Sequence, residues 1–403
     1  MTNKKLKVGN VPNLRFPGFI EEWQTKKLGE IATFSKGKGI SKSDIEENGI
    51  TECIRYGELY THYTEVINEI KSKTNVNTST LVLSEENDVI IPASGETTID
   101  IATASCVLKS GIALGGDLNI IKTANNGVFL SYYLNSKKKM EIANLAQGIS
   151  VVHLYSSQLA SLTLSLPKLN EQDRISSFLV LLDERIHTQN KIIEQLKTLI
   201  KGLSEKIFSQ KIRFNEFNEE WEVQGLYDVL VKFDKTTTIN NQYPILTSAR
   251  TGIYFQKDYF DGNEVASKDN RGYNIVPRGY FTYRHMSDDV TFKFNINTIC
   301  DKGIVSTLYP VFTTSGVNDY FLKTYLNEGQ AFKNYALLQK QGGSRTYMYY
   351  NKLSKLKLLF PTLSEQNKIS QFLSSIDAKI QAEKNILDKY QSQKKYLLQN
   401  LFI

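Results

Sequence analysis

The strongest constraint on the fold is an internal repeat that marks the start and the end of each half of the chain. The segment 15–23 (RFPGFIEEW) is echoed by 213–221 (RFNEFNEEW), and these copies hold the only two tryptophans. A second echo relates 147–208 to 341–402 and includes the motif P-x-L-x-E-Q at Pro167 and Pro361. Because a repeated sequence predicts a repeated structure, we expect two similar halves.

The segments between the echoes behave differently from the frame around them. Residues 35–145 and 234–340 share almost no sequence, although they occupy the same place in each half. With 403 residues the chain is too long for a single core, and its 41% hydrophobic and 23% charged residues are typical of a foldable globular protein. The pattern predicts a duplicated frame that carries two diverged inserts.

The end of each half predicts a long helix. Apolar residues recur there at alternating spacings of four and three, which is the a/d seam of a coiled coil, and the rows are broken only at Gln189, Glu383 and Lys394. Each helix could pack on its own body, but two seams of like length and phase favour pairing of the helices with each other. The predicted seam residues are Ile175, Leu179, Leu182, Ile186, Ile193, Leu196, Ile200, Leu203, Ile369, Leu373, Ile376, Ile380, Leu387, Tyr390 and Leu397.

The bodies predict a mixture of strands and helices. Short β-rich runs stand at 88–92, 112–121, 280–284 and 290–294, punctuated by Gly, Asn and Asp, and a helix is expected late in each body, around 129–144 and 319–338. The predicted fold class is α+β with mixed sheets, a pseudo-two-fold internal repeat, and two long helices that separate the bodies and pair as an antiparallel coiled coil.

The sequence disfavours catalysis by this chain. It lacks a G-x-x-x-x-G-K-[ST] phosphate loop, a dinucleotide fingerprint, an H-E-x-x-H metal motif and a G-x-S-x-G elbow. Asp88 with Glu96, or Asp288 with Asp289, could contribute to a metal site, but no histidine or further carboxylate completes a set. The cysteines Cys53, Cys106 and Cys300 are too scattered for a disulfide scaffold or a zinc site. We therefore predict no metal site.

Charge and loop composition are compatible with a nucleic-acid partner. The formal net charge is +7, a modest excess of cations for this length. Several loops combine Arg or Lys with aromatic and small polar residues, the types that contact phosphates and base edges, although such turns can also be merely solvated. The candidate DNA-binding residues are Lys36, Lys38, Arg55, Tyr56, Ser94, Gln147, Ser150, His153, Tyr155, Ser248, Arg250, Arg271, Tyr283, Arg284, His285, Gln341, Ser344, Arg345 and Tyr347.

The duplicated frame, the two heptad tails that begin P-x-L-x-E-Q, and the diverged bodies together resemble the specificity subunit of type I restriction-modification systems. The likeness covers nearly the whole chain and includes Trp23, Trp221, the run 88–92, Gly115-Gly116-Asp117 and the run 277–284. The resemblance implies four parts: target recognition domains at 1–164 and 211–357, and conserved helical regions, acting as coiled-coil spacers, at 165–210 and 358–403.

The resemblance also implies function and partners. Each recognition domain would read one half of a split, asymmetric site in double-stranded DNA, and the helices would act as a ruler that sets the gap. Two modification subunits would carry S-adenosylmethionine and the adenine methylation chemistry, and two restriction subunits would use ATP and Mg. This chain would bind no cofactor and would itself be non-catalytic.

Two other classes of function stay open at this stage. The coiled coil could space two protein-binding domains without any DNA readout, in which case no salt-dependent DNA affinity is expected. A self-sufficient nuclease or methyltransferase is the lesser alternative, and the missing motifs argue against it. The absence of a signal-peptide run and of a membrane-spanning stretch places the chain in the cytoplasm, with no membrane partner.

Overall fold

The computed structural model describes residues 9–148, 150–262, 267–340 and 345–403. The chain divides into two compact units: unit 1 is formed by 1–190 and 385–403, and unit 2 by 191–384. The first long helix, Leu169–Phe208, begins in unit 1 and ends in unit 2, whereas the second, Leu363–Asn400, begins in unit 2 and ends in unit 1. Each unit therefore contains the start of one long helix and the end of the other, as in an antiparallel pair, and the predicted fold class is confirmed.

Unit 1 is built around two mixed sheets. The five-stranded sheet has the order Ala32–Lys36, Leu118–Thr123, Asp88–Pro92, Ser105–Val107, Val66–Ile67, antiparallel except for the parallel last pair. The four-stranded sheet has the order Ser72–Thr74, Thr51–Ile54, Ala113–Leu114, Val82–Leu83, with one parallel pair in its centre. The other strands are Gln24–Lys27, Ser94–Gly95, Val152–His153 and Thr163–Leu166.

Unit 2 has one larger sheet and several strand pairs. The four-stranded antiparallel sheet has the order Leu230–Lys232, Val311–Thr314, Phe281–Thr282, Asn295–Ile296. The antiparallel pairs are Glu222–Gly225 with Lys357–Phe360, Leu246–Ala249 with Gly252–Phe255, Asn274–Pro277 with Lys302–Val305, and Met286–Ser287 with Thr346–Tyr347.

Most predicted elements are present, with altered bounds. Each late helix is two helices, Gly127–Ser136 with Lys139–Leu145 and Asp319–Glu328 with Gln330–Leu338, the latter pair broken at Gly329. The prediction of a strand at 290–294 is wrong, because Val290 has a φ of 66°, outside the extended region. The short helices are Leu28–Ile31, Glu58–Thr61, Thr98–Ile101, Ser156–Ala160, Leu226–Val229, Gln256–Tyr259 and Tyr350–Leu353, with 3-10 turns at Lys42–Asp44 and Thr78–Thr80.

The two sequence echoes meet at the start of each long helix. In unit 1, Arg15 donates from Nε and Nη2 to the carboxylate of Glu171, both at 2.7 Å. In unit 2, Arg213 makes the same two-pronged contact with Glu365, at 2.8 and 2.7 Å. The glutamates are 2% and 1% exposed, so each needs its partner to remain ionised without a large desolvation penalty. The repeated RF and E-Q motifs therefore form one junction in each unit: RF supplies the arginine and E-Q supplies the glutamate of the ion pair.

The glutamine of each E-Q motif completes the junction. Gln172 donates to the carbonyl of Pro167 at 2.9 Å and accepts from the backbone N–H of Asn126 at 3.0 Å. Gln366 does the same in unit 2, with the carbonyl of Pro361 and the N–H of Asn318. Asn126 and Asn318 also cap their own helices through their side chains. One glutamine thus fixes the long helix, the strand before it and the body helix together.

Aromatic rings anchor the end of a long helix in each unit. Phe402 stacks on Tyr133 in the unit 1 core, with ring centroids 5.5 Å apart, and Phe208 stacks on Tyr325 in unit 2 at 4.4 Å. Lys394 near the end of the second helix lies 2.8 Å from Asp183 of the first, within unit 1. The predicted seam residues that are buried are Ile175, Leu179, Leu182, Ile193, Ile369, Leu373, Ile380 and Leu397, and those that are partly buried are Ile186, Leu196, Ile200, Leu203, Ile376, Leu387 and Tyr390.

We predict that the substitution Glu365→Gln lowers the free energy of unfolding by about 3 kcal/mol, because it removes one partner of a buried ion pair. The matched control is Glu216→Gln, which breaks the exposed pair with Lys368 in the same unit and is expected to change the free energy of unfolding little. Urea unfolding of the full chain measures both values. Equal losses for the two variants would contradict the junction's role.

Candidate nucleic-acid interface

Face 1, the candidate surface of unit 1, forms where two short strands pair. His153 lies opposite Ser94 across this pair, and Gln147 bridges to His153 through two backbone hydrogen bonds. The ring of Tyr155 lies 6.4 Å from that of His153, and the Lys36 ammonium lies 5.8 Å from the Tyr155 ring centroid. The structure thus brings five of the predicted residues together, and all but Ser94 are exposed.

Lys36 and Lys38 flank a glycine that the backbone requires. A Cβ at Gly37 would lie 2.0 Å from the carbonyl oxygen of Gly115, so the two loops approach more closely than any side chain allows. The backbone N–H of Lys38 donates to Leu114, and both lysines are exposed. The close approach fixes the backbone from which the two cations extend.

Face 2, the candidate surface of unit 2, uses the same backbone scaffold as face 1. In unit 1 the N–H of Ala93 donates to the carbonyl of Asp117, and its own carbonyl accepts from Leu154. In unit 2 His285 occupies the equivalent position: its backbone N–H donates to the carbonyl of Leu308, and its carbonyl accepts from the N–H of Met348. The strand pair of face 1 corresponds to Met286–Ser287 with Thr346–Tyr347. The two faces therefore share a frame but present different side chains.

Three aromatic rings form the centre of face 2. Tyr347 and Tyr349 stack at 5.7 Å, and His285 lies beneath them, 4.7 Å from the Tyr349 ring. Burial lowers the pKa of His285, and the nearby Arg284 lowers it further, so the imidazole is neutral at pH 7. Exposed aromatic rings of this kind supply flat apolar contact surfaces to a partner.

Face 2 also contains three arginines, Arg250, Arg284 and Arg345, and carboxylates hold two of them. Arg250 donates from both Nη atoms to Asp289, at 2.8 and 2.6 Å, and Arg345 donates from Nε to Asp288 at 2.9 Å. Hydrogen bonds from Arg250 hold the pKa of Asp289 well below its usual range. Arg284 is exposed and makes no ion pair with any described residue.

Two further predicted arginines lie on other loops. Arg271 is exposed, and its hydrogen bonds lower the pKa of Asp269 to about 2. Arg55 is only 25% exposed at its side chain and pairs with the buried Glu58 at 3.2 Å. Neighbouring Tyr56 is partly buried.

Four of the predicted DNA-binding residues are buried, namely Tyr283, Ser94, Ser248 and His285. The prediction is wrong for Tyr283, which is 0% exposed and donates its hydroxyl proton to the carbonyl of Met348 at 2.9 Å. Ser248 is 7% exposed, and its hydroxyl is hydrogen-bonded to Thr282 and Asn295. The Tyr283 side chain packs in the core, whereas Ser248 lines an open cleft of unit 2. Ser150 is exposed, and Gln341 and Ser344 lie outside the described residues.

The sequence interpretation missed Tyr349 and the role of two aspartates. Tyr349 is 46% exposed and is the counterpart of Tyr155 in the second echo, so alignment of the two repeats was the signal that could have found it. Asp288 and Asp289 were considered only as metal ligands. In the described part of the chain no group of three or more His, Cys, Asp or Glu residues is placed to hold a metal ion.

Comparison with known proteins identifies the family. The model of the type I restriction modification DNA specificity domain matches this chain twice, over residues 20–198 and 218–390. The chain therefore belongs to that family, and the resemblance seen in the sequence is confirmed. The two matches coincide with the two halves of the internal repeat.

Similar proteins agree over nearly the full length. The type I restriction enzyme MjaVIII specificity subunit of Methanocaldococcus jannaschii is 25% identical, with 96% of this chain and 92% of the relative covered. The crystal structure of the S subunit of a type I restriction-modification system from M. genitalium gives a TM-score of 0.62 at 16% identity, covering 98% of this chain and 99% of the other. A chain from a study of complex assembly and conformational transition of the type I R-M system gives 0.51 at 14% identity, covering 96% and 98%. These structures share the fold.

Among the described residues, none of the helices combines the length and the apolar character needed to span a bilayer. The long helices are amphipathic, with one apolar seam and charged remaining faces.

We predict that His285 makes the stability of unit 2 depend on pH. Because burial lowers its pKa in the folded state, the unfolded chain takes up the proton first, and stability falls as the pH drops below about 6.5. The variant His285→Gln should show a shallower loss of stability between pH 7.5 and 5 than the wild type. A His285→Gln profile that coincides with the wild type would contradict this assignment.

Proposed function

We propose that this chain reads the sequence of double-stranded DNA as the specificity subunit of a type I restriction-modification complex, with one half of a bipartite site read by each unit. The observation that carries the proposal is the pair of faces: one backbone scaffold, present twice, carries two unrelated sets of polar and aromatic side chains. A reader of two different half-sites needs this combination of common frame and divergent surface.

The chemistry of the faces supports readout of an asymmetric site. Face 1 offers lysines, Gln147, His153 and one tyrosine, while face 2 offers arginines and a stacked tyrosine pair. Lysine and arginine contact phosphates, arginine also contacts guanine, and glutamine contacts adenine. Because the two sets differ, the two half-sites should differ in sequence.

The proposed division of labour follows the repeat. Residues 1–164 and 211–357 would be the target recognition domains, and 165–210 and 358–403 the helical regions that space them. The structure gives each body the same attachment, an arginine–glutamate pair and a bridging glutamine at the head of a long helix. A shared attachment lets a body be exchanged in evolution without loss of the frame.

The chemistry of methylation and cleavage would reside on partner subunits. Two modification subunits, with S-adenosylmethionine, would methylate adenine, and two restriction subunits, with ATP and Mg, would translocate and cleave. Two like partners need two like docking surfaces, which a chain with an internal repeat supplies. This chain would then act as a non-catalytic subunit in the cytoplasm, and it would steer its partners to DNA.

The test is co-expression with the genomically adjacent modification subunit, followed by single-molecule sequencing of the host DNA for methylated adenine. We expect a split motif with a fixed gap that appears only when this chain is present. A stable complex that produces no new motif would overturn the proposal and favour the alternative of a scaffold that spaces two protein-binding domains.

A second prediction concerns the independence of the half-sites. Replacing residues 234–340 with the matching insert of another specificity subunit should change one half of the methylated motif and leave the other half unchanged, because face 1 lies wholly in unit 1. Methylome sequencing of the chimera measures this. Changes in both halves would contradict modular readout.

A further inference from the structure

A short acidic loop in face 2 holds two arginines that come from different elements. Arg250 lies in the turn between Leu246–Ala249 and Gly252–Phe255, and Arg345 lies just before Thr346–Tyr347. Both arginines contact the same loop: the carboxylate of Asp289 accepts hydrogen bonds from Arg250, and that of Asp288 accepts one from Arg345. Two neighbouring aspartates thus fix two guanidinium groups that are far apart in sequence.

Asp289 is itself fixed by further hydrogen bonds. The Oδ1 atom of Asp289 accepts from the hydroxyl of Ser287 at 2.9 Å and from the N–H of Thr291 at 3.1 Å. Val290, which lies between Asp289 and Thr291, has a φ of 66°, a strained conformation for a β-branched residue. The loop is therefore held in one conformation, which fixes the positions of the two arginine side chains.

Stability does not explain these ion pairs. The side chains of Arg250 and Asp289 are 61% and 52% exposed, and those of Arg345 and Asp288 are 52% and 68% exposed. Exposed pairs of this kind contribute little to the free energy of unfolding. Moreover, two carboxylates on a surface that would meet DNA repel its phosphates. Their presence requires a compensating role.

The free edges of the guanidinium groups suggest that role. Arg250 uses its two Nη atoms on Asp289, which leaves the edge that carries Nε. Arg345 uses Nε on Asp288, which leaves the fork of Nη1 and Nη2. Each free edge is planar and presents parallel donors, the match for the O6 and N7 acceptors of guanine. A fork held by a carboxylate loses less side-chain entropy when it binds.

The surroundings favour a nucleic-acid ligand over a protein one. Arg250, Arg284 and Asp288 line one open cleft of about 270 Å³, together with Lys293. Arg284 is the exposed cation of this cleft that no described carboxylate pairs with, so it remains available to a phosphate. The cleft thus combines two chemistries, an unpaired arginine for the backbone and a carboxylate-held arginine for a base edge.

We propose that Asp288 and Asp289 are positioning residues that present Arg345 and Arg250 to guanine bases in the half-site read by unit 2. The inference rests on the proposed function and deepens it, because it names the base and the residues that select it. The aspartates act through the arginines and do not themselves contact the base.

The test uses the complex with the modification subunit and duplexes that carry the methylated motif found for the wild type. Each base pair of the unit 2 half-site is replaced in turn, and the initial rate of methylation is compared with that of the intact site. We expect Arg250→Lys, which keeps the charge but loses the fork, to reduce discrimination at one guanine by 10- to 100-fold, in order of magnitude. Asp289→Asn should weaken discrimination at that same guanine, with little further effect in the Arg250→Lys background.

The control is Asp301→Asn, which removes the same charge from an exposed pair with Arg278 outside the cleft. It should leave discrimination at every position unchanged. Arg345→Lys and Asp288→Asn should both reduce discrimination at a second guanine. Melting temperatures of all variants separate loss of folding from loss of readout, because a structural role would lower the melting temperature without changing the ratio of rates between duplexes.

Three results would overturn the inference: unchanged discrimination in Arg250→Lys and Arg345→Lys, an effect of Asp289→Asn at a base pair that Arg250→Lys does not affect, or a unit 2 half-site without guanine. Failure of the proposed function looks different, because the wild-type complex would then yield no methylated motif at all.

Discussion

The buried ion pair between arginine and glutamate at the head of each long helix is the interaction on which the rest of the structure depends. A carboxylate that is 1% or 2% exposed is tolerated only with a partner, and Arg15 and Arg213 supply that partner from the entry of the same unit. The adjacent Gln172 and Gln366 tie the body helix to the long helix. These few contacts fix the position of each body on its helix. The residues that make them are repeated in the two halves of the sequence.

Once the attachment is fixed, the body can vary. Three backbone segments meet through equivalent hydrogen bonds at Ala93 in unit 1 and at His285 in unit 2, yet the side chains around them differ in size, charge and aromatic content. Face 1 places a lysine against Tyr155, and face 2 places arginines around Tyr347 and Tyr349. Selection on the sequence that is read acts on these side chains, whereas selection on assembly acts on the junction.

The sequence predicted the repeat, the two long helices and the class of fold because these rest on periodic or duplicated patterns. The strand Asp88–Pro92 was predicted with its observed bounds, since an apolar run bounded by polar residues has few alternatives. The sequence could not separate exposed from buried members of polar loops: Tyr283 resembled a surface residue but packs in the core. Nor could it reveal that Asp288 and Asp289 face arginines, because those pairs join segments that are distant in the chain.

Hydrogen–deuterium exchange of the assembled complex, with and without its target duplex, tests the central claim most directly. The account predicts slower exchange in both faces, at 94–95 and 152–153 in unit 1 and at 246–255, 286–287 and 346–347 in unit 2. A duplex with one half-site scrambled should remove this protection from one unit only. Protection that is absent from both faces, or that is lost from both units together, would contradict the assignment of one half-site to each unit.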